Sequence, residues 1–276
     1  MISIKPIKVG LVGFGKAGKA AASVFLKSPD ICLEWVVRQG TRLENHSLPE
    51  FLGVESDDPG HIYSSQHISA AELVAKHPVD IIVDFSSTSG IDYYSQAALK
   101  RGIKVVSAIS HYTDREISIL DEIAKRSAVI WSPNITVGVN YMILAAQALR
   151  KIAPDIDIEI VEEHFKNKPE LSGTAIKIAH SLGKDSCDIK SIRAGGIVGK
   201  HEVIFGFPYQ VVRLTHESIS RDAFGDGAIF ACKHLMGKSP GRYSFEELLA
   251  PYFHAPVNHR AEEQPPCQCQ RKVGNW

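Results

Sequence analysis

The sequence has no charge excess. Lys and Arg together number 31, Asp and Glu number 31, and the formal net charge is zero. Chains that bind nucleic acid usually carry a basic surplus, so no nucleic-acid partner is expected. No apolar run reaches the roughly 20 residues that a membrane-spanning helix needs, so no membrane partner is expected either. The opening Met1–Pro6 does not have the form of a secretory leader and runs directly toward a strand. Cysteine is sparse. Its five positions, Cys32, Cys187, Cys232, Cys267 and Cys269, are odd in number and scattered, which suits reduced thiols in the cytoplasm better than a disulfide framework. What remains is a 276-residue chain, 44% hydrophobic and 22% charged, long enough for one large globular domain or two modest ones.

The first recognisable element is a β-branched run, Ile7–Val12, of the kind that forms a buried parallel strand. It meets Gly13-Phe14-Gly15-Lys16-Ala17-Gly18, a G-x-G-x-x-G, followed by a small-residue helix to Leu26 and a second strand over 32–37. Strand, glycine turn, helix and strand is the setting in which this motif binds a dinucleotide. Gly13 permits the tight turn, Gly15 lets backbone approach a pyrophosphate, and Gly18 lets the helix pack on the sheet. Enzymes that use NAD usually carry Asp or Glu at the end of strand two to bind the ribose 2′-hydroxyl. Here that place holds Arg38, with Arg42 nearby and no acid. A guanidinium suits a 2′-phosphate, so NADPH is the expected cofactor, with NADH possible.

Residues 43–68 read as an irregular connection. β-α units then continue: helix 70–76, strand 79–85, helix 93–101, strand 103–106, helix 114–126 and strand 128–131. Such alternation implies a parallel, doubly wound sheet of Rossmann type. Ligands of these sheets sit beyond the carboxyl ends of the strands. Phe85, Ser86 and Ser87, and the segment Ser107–Ser110, stand at two such ends. The run Ser132–Asn140 breaks the pattern and reads as the crossing into a second domain, entered through a helix over 141–152. Beyond a helix over 175–183, three strands follow without intervening helices, over 189–193, 199–205 and 210–216. They predict a mixed sheet in an α+β domain. A turn over 220–227 and a helix over 228–236 come next. The expected organisation is a dinucleotide-binding domain over 1–134, with 222–253 packing back on it. A substrate and oligomerisation domain covers 135–221, and a disordered tail covers 254–276. The tail carries Cys267-Gln268-Cys269, with His254 and His259 before it, a set too thin for a metal site. No metal is expected.

The stretch Glu162–Ala175 gathers the most chemistry. His164 is a candidate proton donor, Lys168 a fixed cation, and Ser172, Gly173 and Thr174 are small donors that open the following helix. Placed on one loop after a strand over 156–161, these residues suit protonation of an anionic substrate whose carboxylate rests at a helix N-terminus.

These motifs, in this order, resemble the dihydrodipicolinate (4-hydroxy-tetrahydrodipicolinate) reductase family. The resemblance covers nearly all of residues 7–250. It rests on the glycine turn, Val83–Ser86, Ser132–Asn140, Glu163-His164 with Lys168 and Ser172–Ala175, and above all on Arg193–Gly199, His201–Gly206 and Thr215–Phe224. It implies a homotetramer joined through the second-domain sheets and hydride transfer from a nicotinamide to a cyclic unsaturated dicarboxylate imine of lysine and diaminopimelate synthesis. It assigns His164 as general acid, Lys168 as its companion cation, and Ser172, Gly173 and Thr174 as binders of a substrate carboxylate. It places Ser107, Ser110, Ser132, Asn134, Arg221 and Phe224 at the cofactor, together with the glycine turn, Arg38, Phe85 and Ser86. Three positions depart from the family pattern. Phe165 stands where a second histidine is usual. Pro169-Glu170-Leu171 replaces Asp-Ala-Pro in a loop that looks one residue shorter. Ser107-Ala108-Ile109-Ser110 replaces Gly-Thr-Thr-Gly. They leave open a related reductase of a different imine, or a non-catalytic NADP-binding regulator.

Overall fold

The computed structural model describes residues 5–253. The expectations for the tail and for Cys267, Cys269, His254 and His259 fall outside the described residues.

Two sheets organise the chain. Strands β1 (Ile7–Val12), β2 (Ile31–Arg38), β3 (His61–Ser64), β4 (Ile81–Asp84), β5 (Lys104–Ser107), β6 (Ala128–Trp131) and β11 (Gly241–Tyr243) form one sheet in the order β11-β6-β5-β4-β1-β2-β3. Every pairing in it is parallel. Parallel strands bury both faces, and helices cover both. One face carries α1 (Lys16–Phe25), α8 (Asp222–Met236) and α9 (Phe245–Phe253), whose Ala21, Phe25, Ala231, Leu235 and Phe245 pack on Val9, Leu11 and Ile81. The other carries α3 (Ala70–Lys76), α4 (Gly90–Arg101) and α5 (Asp114–Ala124), which bury Leu73, Tyr94 and Leu120 on Trp35, Ile82 and Val105. This is the doubly wound parallel sheet expected. Its strand order reverses between β1 and β4, where a crevice opens beyond the carboxyl ends.

The second sheet has the order β10-β9-β7-β8, from β7 (Asp157–His164), β8 (Ile189–Arg193), β9 (Lys200–Gly206) and β10 (Val211–Glu217). It is mixed: β7 runs parallel to β8 and antiparallel to β9. Helices α6 (Val137–Ile152) and α7 (Gly173–Ser181) cover one face, burying Met142, Ile143, Ile178 and Ala179 against Ile158, Ile160, Val203 and Phe205.

Several local expectations are corrected. The connection over 43–68 contains helix α2 (Leu48–Leu52), capped by Ser47, and the edge strand β3. Both are too short to show a period. Helix α8 begins at Asp222, not after a turn ending at 227. Gly225 and Gly227 look like breakers, but close packing requires them. A Cβ on Gly225 would stand 2.7 Å from Val24 Cβ, and one on Gly227 would stand 1.8 Å from the Ile135 carbonyl oxygen. Helix α6 starts at Val137, inside the segment read as a crossing. Strand β7 runs on to His164, so the histidine belongs to a strand and not to the loop. Helix α7 begins at Gly173, which places Ser172 at its N-cap.

Candidate active site

The glycine turn sits at the mouth of the β1–β4 crevice. Gly13 has φ of 99°, a left-handed conformation that favours glycine, and a Cβ there would stand 2.5 Å from the Ser86 nitrogen. Gly15 is the N-cap of α1 and makes no side-chain cap, and nothing lies within 4 Å of where its Cβ would be. The space in front of Gly15 at the start of α1 is therefore open, as close approach of a pyrophosphate requires. A cleft of about 570 Å³ follows, lined by Gly13, Phe14, Gly15, Arg38, Phe85 and Ser86 among the expected cofactor residues. Gln39, Ser65, Ser87 and Tyr93 also line it, and of these only Ser87 was expected. Arg38 ends β2 and looks into this cleft without an acidic neighbour among the lining residues. The residues present thus fit a dinucleotide.

Lys16, Ala17 and Gly18 lie on α1 behind the turn, and Gly18 meets the Gly13 carbonyl so closely that a Cβ would stand 2.2 Å from its oxygen. Ser107 is buried and shares a hydrogen bond of 2.8 Å with the Tyr112 hydroxyl. Its neighbour Ser110 is exposed. Below the crevice floor lies Asp84, fully buried, which accepts from Ser86 N at 2.9 Å, Ser86 Oγ at 2.5 Å, Tyr94 at 3.0 Å and Tyr112 at 3.4 Å. Burial pushes its carboxyl up against these four hydrogen bonds. Asp84 thereby fixes the loop that carries Ser86.

The crossing segment joins the two sheets. Ser132 is buried and donates to the Asn134 carbonyl at 2.5 Å. Asn134 accepts from Thr136 N and Oγ1 at 3.0 and 2.8 Å, and its amide donates to Thr174 Oγ1 at 2.7 Å. An expected cofactor residue thus touches an expected substrate residue. Arg221 is exposed at the N-cap of α8, and Phe224 packs partly buried against the first core. Neither lines the cleft.

On the second sheet, alternation along β7 turns Ile158, Ile160, Glu162 and His164 toward the same buried face. His164 is 8% exposed, and its Nδ1 pairs with Glu162 Oε2. Gly199 stands beside the other nitrogen: a Cβ there would lie 3.0 Å from His164 Nε2. Glu162 has no exposed surface. Its Oε1 accepts from Ser191 Oγ and Arg193 Nη2, both at 2.6 Å. Burial pushes the Glu162 carboxyl up, but the bonds from Arg193, Ser191 and His164 together outweigh it and hold it down at about 2. Across the strands, Glu162 stands level with Ser191 on β8 and His201 on β9, and His201 stands level with His216 on β10.

Ser172, the N-cap of α7, is hydrogen-bonded by Ala175 N at 3.4 Å and shares a bond of 2.8 Å with His201 Nε2. Burial, with the nearby charges of His164, His216 and Lys168, lowers the His201 pKa to about 3, so this imidazole is neutral. Gly173 is exposed and Thr174 half-buried in the first turn of α7. Lys168 is half-buried on the intervening loop, and its carbonyl accepts from Arg193 Nε at 3.2 Å. His164 and Ser172 are thus linked through His201, with Lys168 on the loop between, while Thr174 is held from the other side by Asn134. Glu162, Arg193 and His201 are the parts that sequence reasoning missed. A signal existed for Glu162: two residues before His164, it is a carboxylate at an inward position after two isoleucines.

Family comparison agrees with this geometry. Residues 7–135 match the model of the dihydrodipicolinate reductase N-terminus, and residues 138–249 match that of its C-terminus. The 4-hydroxy-tetrahydrodipicolinate reductase of Thermosipho africanus is 32% identical over 249 residues, covering 90% of this chain and all of the relative. That of Caldanaerobacter subterraneus subsp. tengcongensis is 33% identical over 196 residues, covering 63% of this chain and 78% of the relative. Among solved structures, a dipicolinate-bound dihydrodipicolinate reductase from Paenisporosarcina sp. TG-14 superposes with a TM-score of 0.70 at 20% identity, covering 87% of this chain and 98% of the other. An amine dehydrogenase from Mycobacterium smegmatis shares the fold at a TM-score of 0.62 and 9% identity, covering 88% and 96%. With both halves matched in order, the chain belongs to the dihydrodipicolinate reductase family and is an NAD(P)H-dependent oxidoreductase.

Proposed function

We propose that the chain reduces a cyclic unsaturated dicarboxylate imine of the dihydrodipicolinate type, in lysine and diaminopimelate synthesis, with His164 supplying the proton. The observation that carries this reading is the His164 ring. Its Nδ1 is engaged by a buried carboxylate, while Nε2 faces the side where Gly199 leaves room. The cofactor, bound along the glycine turn and Arg38, supplies hydride. The chain's own residues bind and polarise the substrate. Gly173 and Thr174, in the first turn of α7, present donors to one carboxylate, and the helix N-terminus favours its charge. Thr174 Oγ1 already accepts from Asn134, so its hydroxyl proton is free to donate. Lys168 lowers the cost of negative charge that builds on the conjugated system, and a proton placed at His164 Nε2 is worth about 10²–10⁴ in rate.

Arg38 supports NADPH over NADH, because its fork matches a 2′-phosphate. The outer face of the second sheet supports a homotetramer built through it. Among the described residues no helix covers that face, and Ile192 and Val211 stand exposed on it. The free thiols Cys32, Cys187 and Cys232 suit the cytoplasm.

A second reading, a related reductase of another imine, is favoured by two observations. Phe165, where an imidazole is usual, is 39% exposed beside the site, and the Ser107 hydroxyl is turned inward to Tyr112. A substrate panel separates the two readings. Dihydrodipicolinate would be generated in situ from pyruvate and aspartate semialdehyde by a coupled synthase and compared with other cyclic and acyclic imines, following loss of reduced-nicotinamide absorbance. The first reading predicts the highest kcat/KM on the coupled substrate. A higher value on another imine supports the second, and binding of NADPH without turnover on any imine overturns both.

A further inference from the structure

Glu162 is costly where it stands. It has no exposed surface and follows Ile158 and Ile160 along the same buried face. A charge in such a place costs several kcal/mol unless well paired, and packing alone would be served by a third isoleucine. Its pairing is complete and directional. One oxygen meets His164 Nδ1 and the other accepts from Ser191 and Arg193. Arg193 does not end there. Its Nε donates to the Lys168 carbonyl at 3.2 Å, and its Nη2 also donates to the Glu170 carbonyl at 3.0 Å. The loop that carries Lys168 is thus fastened through Arg193 to the carboxylate that holds His164. Lys168 N also bonds the Phe165 carbonyl at 3.0 Å, which closes the turn between them.

We propose that Glu162 is a positioning residue for the reduction: through Oε2 it orients the His164 ring with Nε2 toward substrate, and through Arg193 it fixes the loop bearing Lys168. The inference rests on the reading of His164 as proton donor. A carboxylate at Nδ1 selects the tautomer and ring orientation. The other groups around the ring are His201, neutral and edge-on at 5.3 Å between centroids, the cation Lys168 on its loop, and Arg193, level with His164 on β8. Glu162 is the only carboxylate paired with His164 among the described residues.

The test uses the full-length enzyme carrying Glu162→Gln, which keeps the volume and removes the charge, and Glu162→Asp, which keeps the charge. Three quantities are read: NADPH affinity, kcat against KM, and the imidazole ¹⁵N shifts of His164, which report its tautomer. For the Gln variant, kcat falls at least about tenfold while KM changes little and NADPH affinity is unchanged. The ¹⁵N shifts of His164 move toward a mixture of the two tautomers, and the Asp variant restores most of both. If the Gln variant does not fold because Arg193 has lost its anion, Glu162→Gln with Arg193→Gln removes both charges together and is read the same way. A purely structural Glu162 would lower stability and leave kcat and the His164 tautomer as they are in the parent, which overturns the proposal. The ¹⁵N spectrum needs no turnover, so it judges Glu162 even if His164→Ala shows that another group donates the proton.

Discussion

Asn134 donates from its side-chain amide to Thr174 Oγ1 at 2.7 Å, tying the segment that leaves the first sheet to the first turn of α7 on the second. Asn134 is itself held by Thr136, so Thr174 is oriented from the cofactor side of the molecule. Asn134→Ala removes this bond, leaving the Thr174 rotor free to turn away from a substrate carboxylate. A hydrogen bond of this kind is worth about 1–1.5 kcal/mol. KM for the dicarboxylate should therefore rise roughly tenfold with NADPH affinity changed little. Steady-state kinetics at saturating cofactor check this, and an effect confined to the nicotinamide would place Asn134 in the cofactor site alone.

Arg38 gives a second prediction. It ends β2, lines the cleft, and lacks an acidic neighbour there. Arg38→Asp should weaken NADPH by tenfold or more and NADH far less, because only the former has a phosphate for the guanidinium to grip. Titration of both cofactors by fluorescence tests it. Equal loss for the two would contradict the 2′-phosphate assignment.

Asp84 ties the floor of the crevice together. Asp84→Leu leaves the buried Tyr94 hydroxyl without its acceptor, and it releases the amide and hydroxyl of Ser86, while Tyr112 keeps its bond to Ser107. An unsatisfied buried group costs about 1–3 kcal/mol, so unfolding in urea should show a loss of about that size. NADPH affinity should fall as well, because the Ser86 loop lines the cleft. A variant as stable as the parent would show that the buried carboxylate is not what secures this loop.

The neutral His201 makes stability depend on pH. Its folded pKa of about 3 lies below the ordinary 6.5, so the unfolded chain takes up a proton that the folded chain refuses. Its contribution is fully present above pH 6.5 and is lost progressively as pH falls toward 3. The Glu162 pair adds its own loss only below the ordinary carboxyl value of 4.5. Between those limits His201→Gln, whose amide can still reach Ser172, should flatten the dependence by about one proton, or about 1.4 kcal/mol per pH unit. Urea unfolding at a series of pH values reads this slope directly. An unchanged slope would mean that His201 is protonated in the folded protein.

The first sheet was legible in the sequence because its evidence is local. β-branched runs alternate with helical periods, and the Gly13–Gly18 turn marks where the first unit binds phosphate. Elements whose evidence is not local were missed or misplaced. β3 and β11 have too few residues to display a period. The first turn and a half of α8 hides behind Gly225 and Gly227, which are needed for contacts with Val24 and Ile135 far away in sequence. In the site, His164, Lys168 and Ser172–Thr174 could be named from residue type and spacing. Their mutual orientation could not. It depends on Arg193 and His201, which reach β7 through strand register, and register is set by long-range pairing. Glu162 was within reach, because extending the β7 alternation to His164 places it on the same inward face.

The central claim is that His164 delivers the proton during nicotinamide-dependent reduction. It is tested most directly by turnover of the parent and of His164→Ala on dihydrodipicolinate made in situ, with NADPH affinity measured for both. The account predicts turnover by the parent, a loss of about 10²–10⁴ in kcat for the variant, and equal NADPH binding. A His164→Ala enzyme that turns over at the parent rate would contradict it.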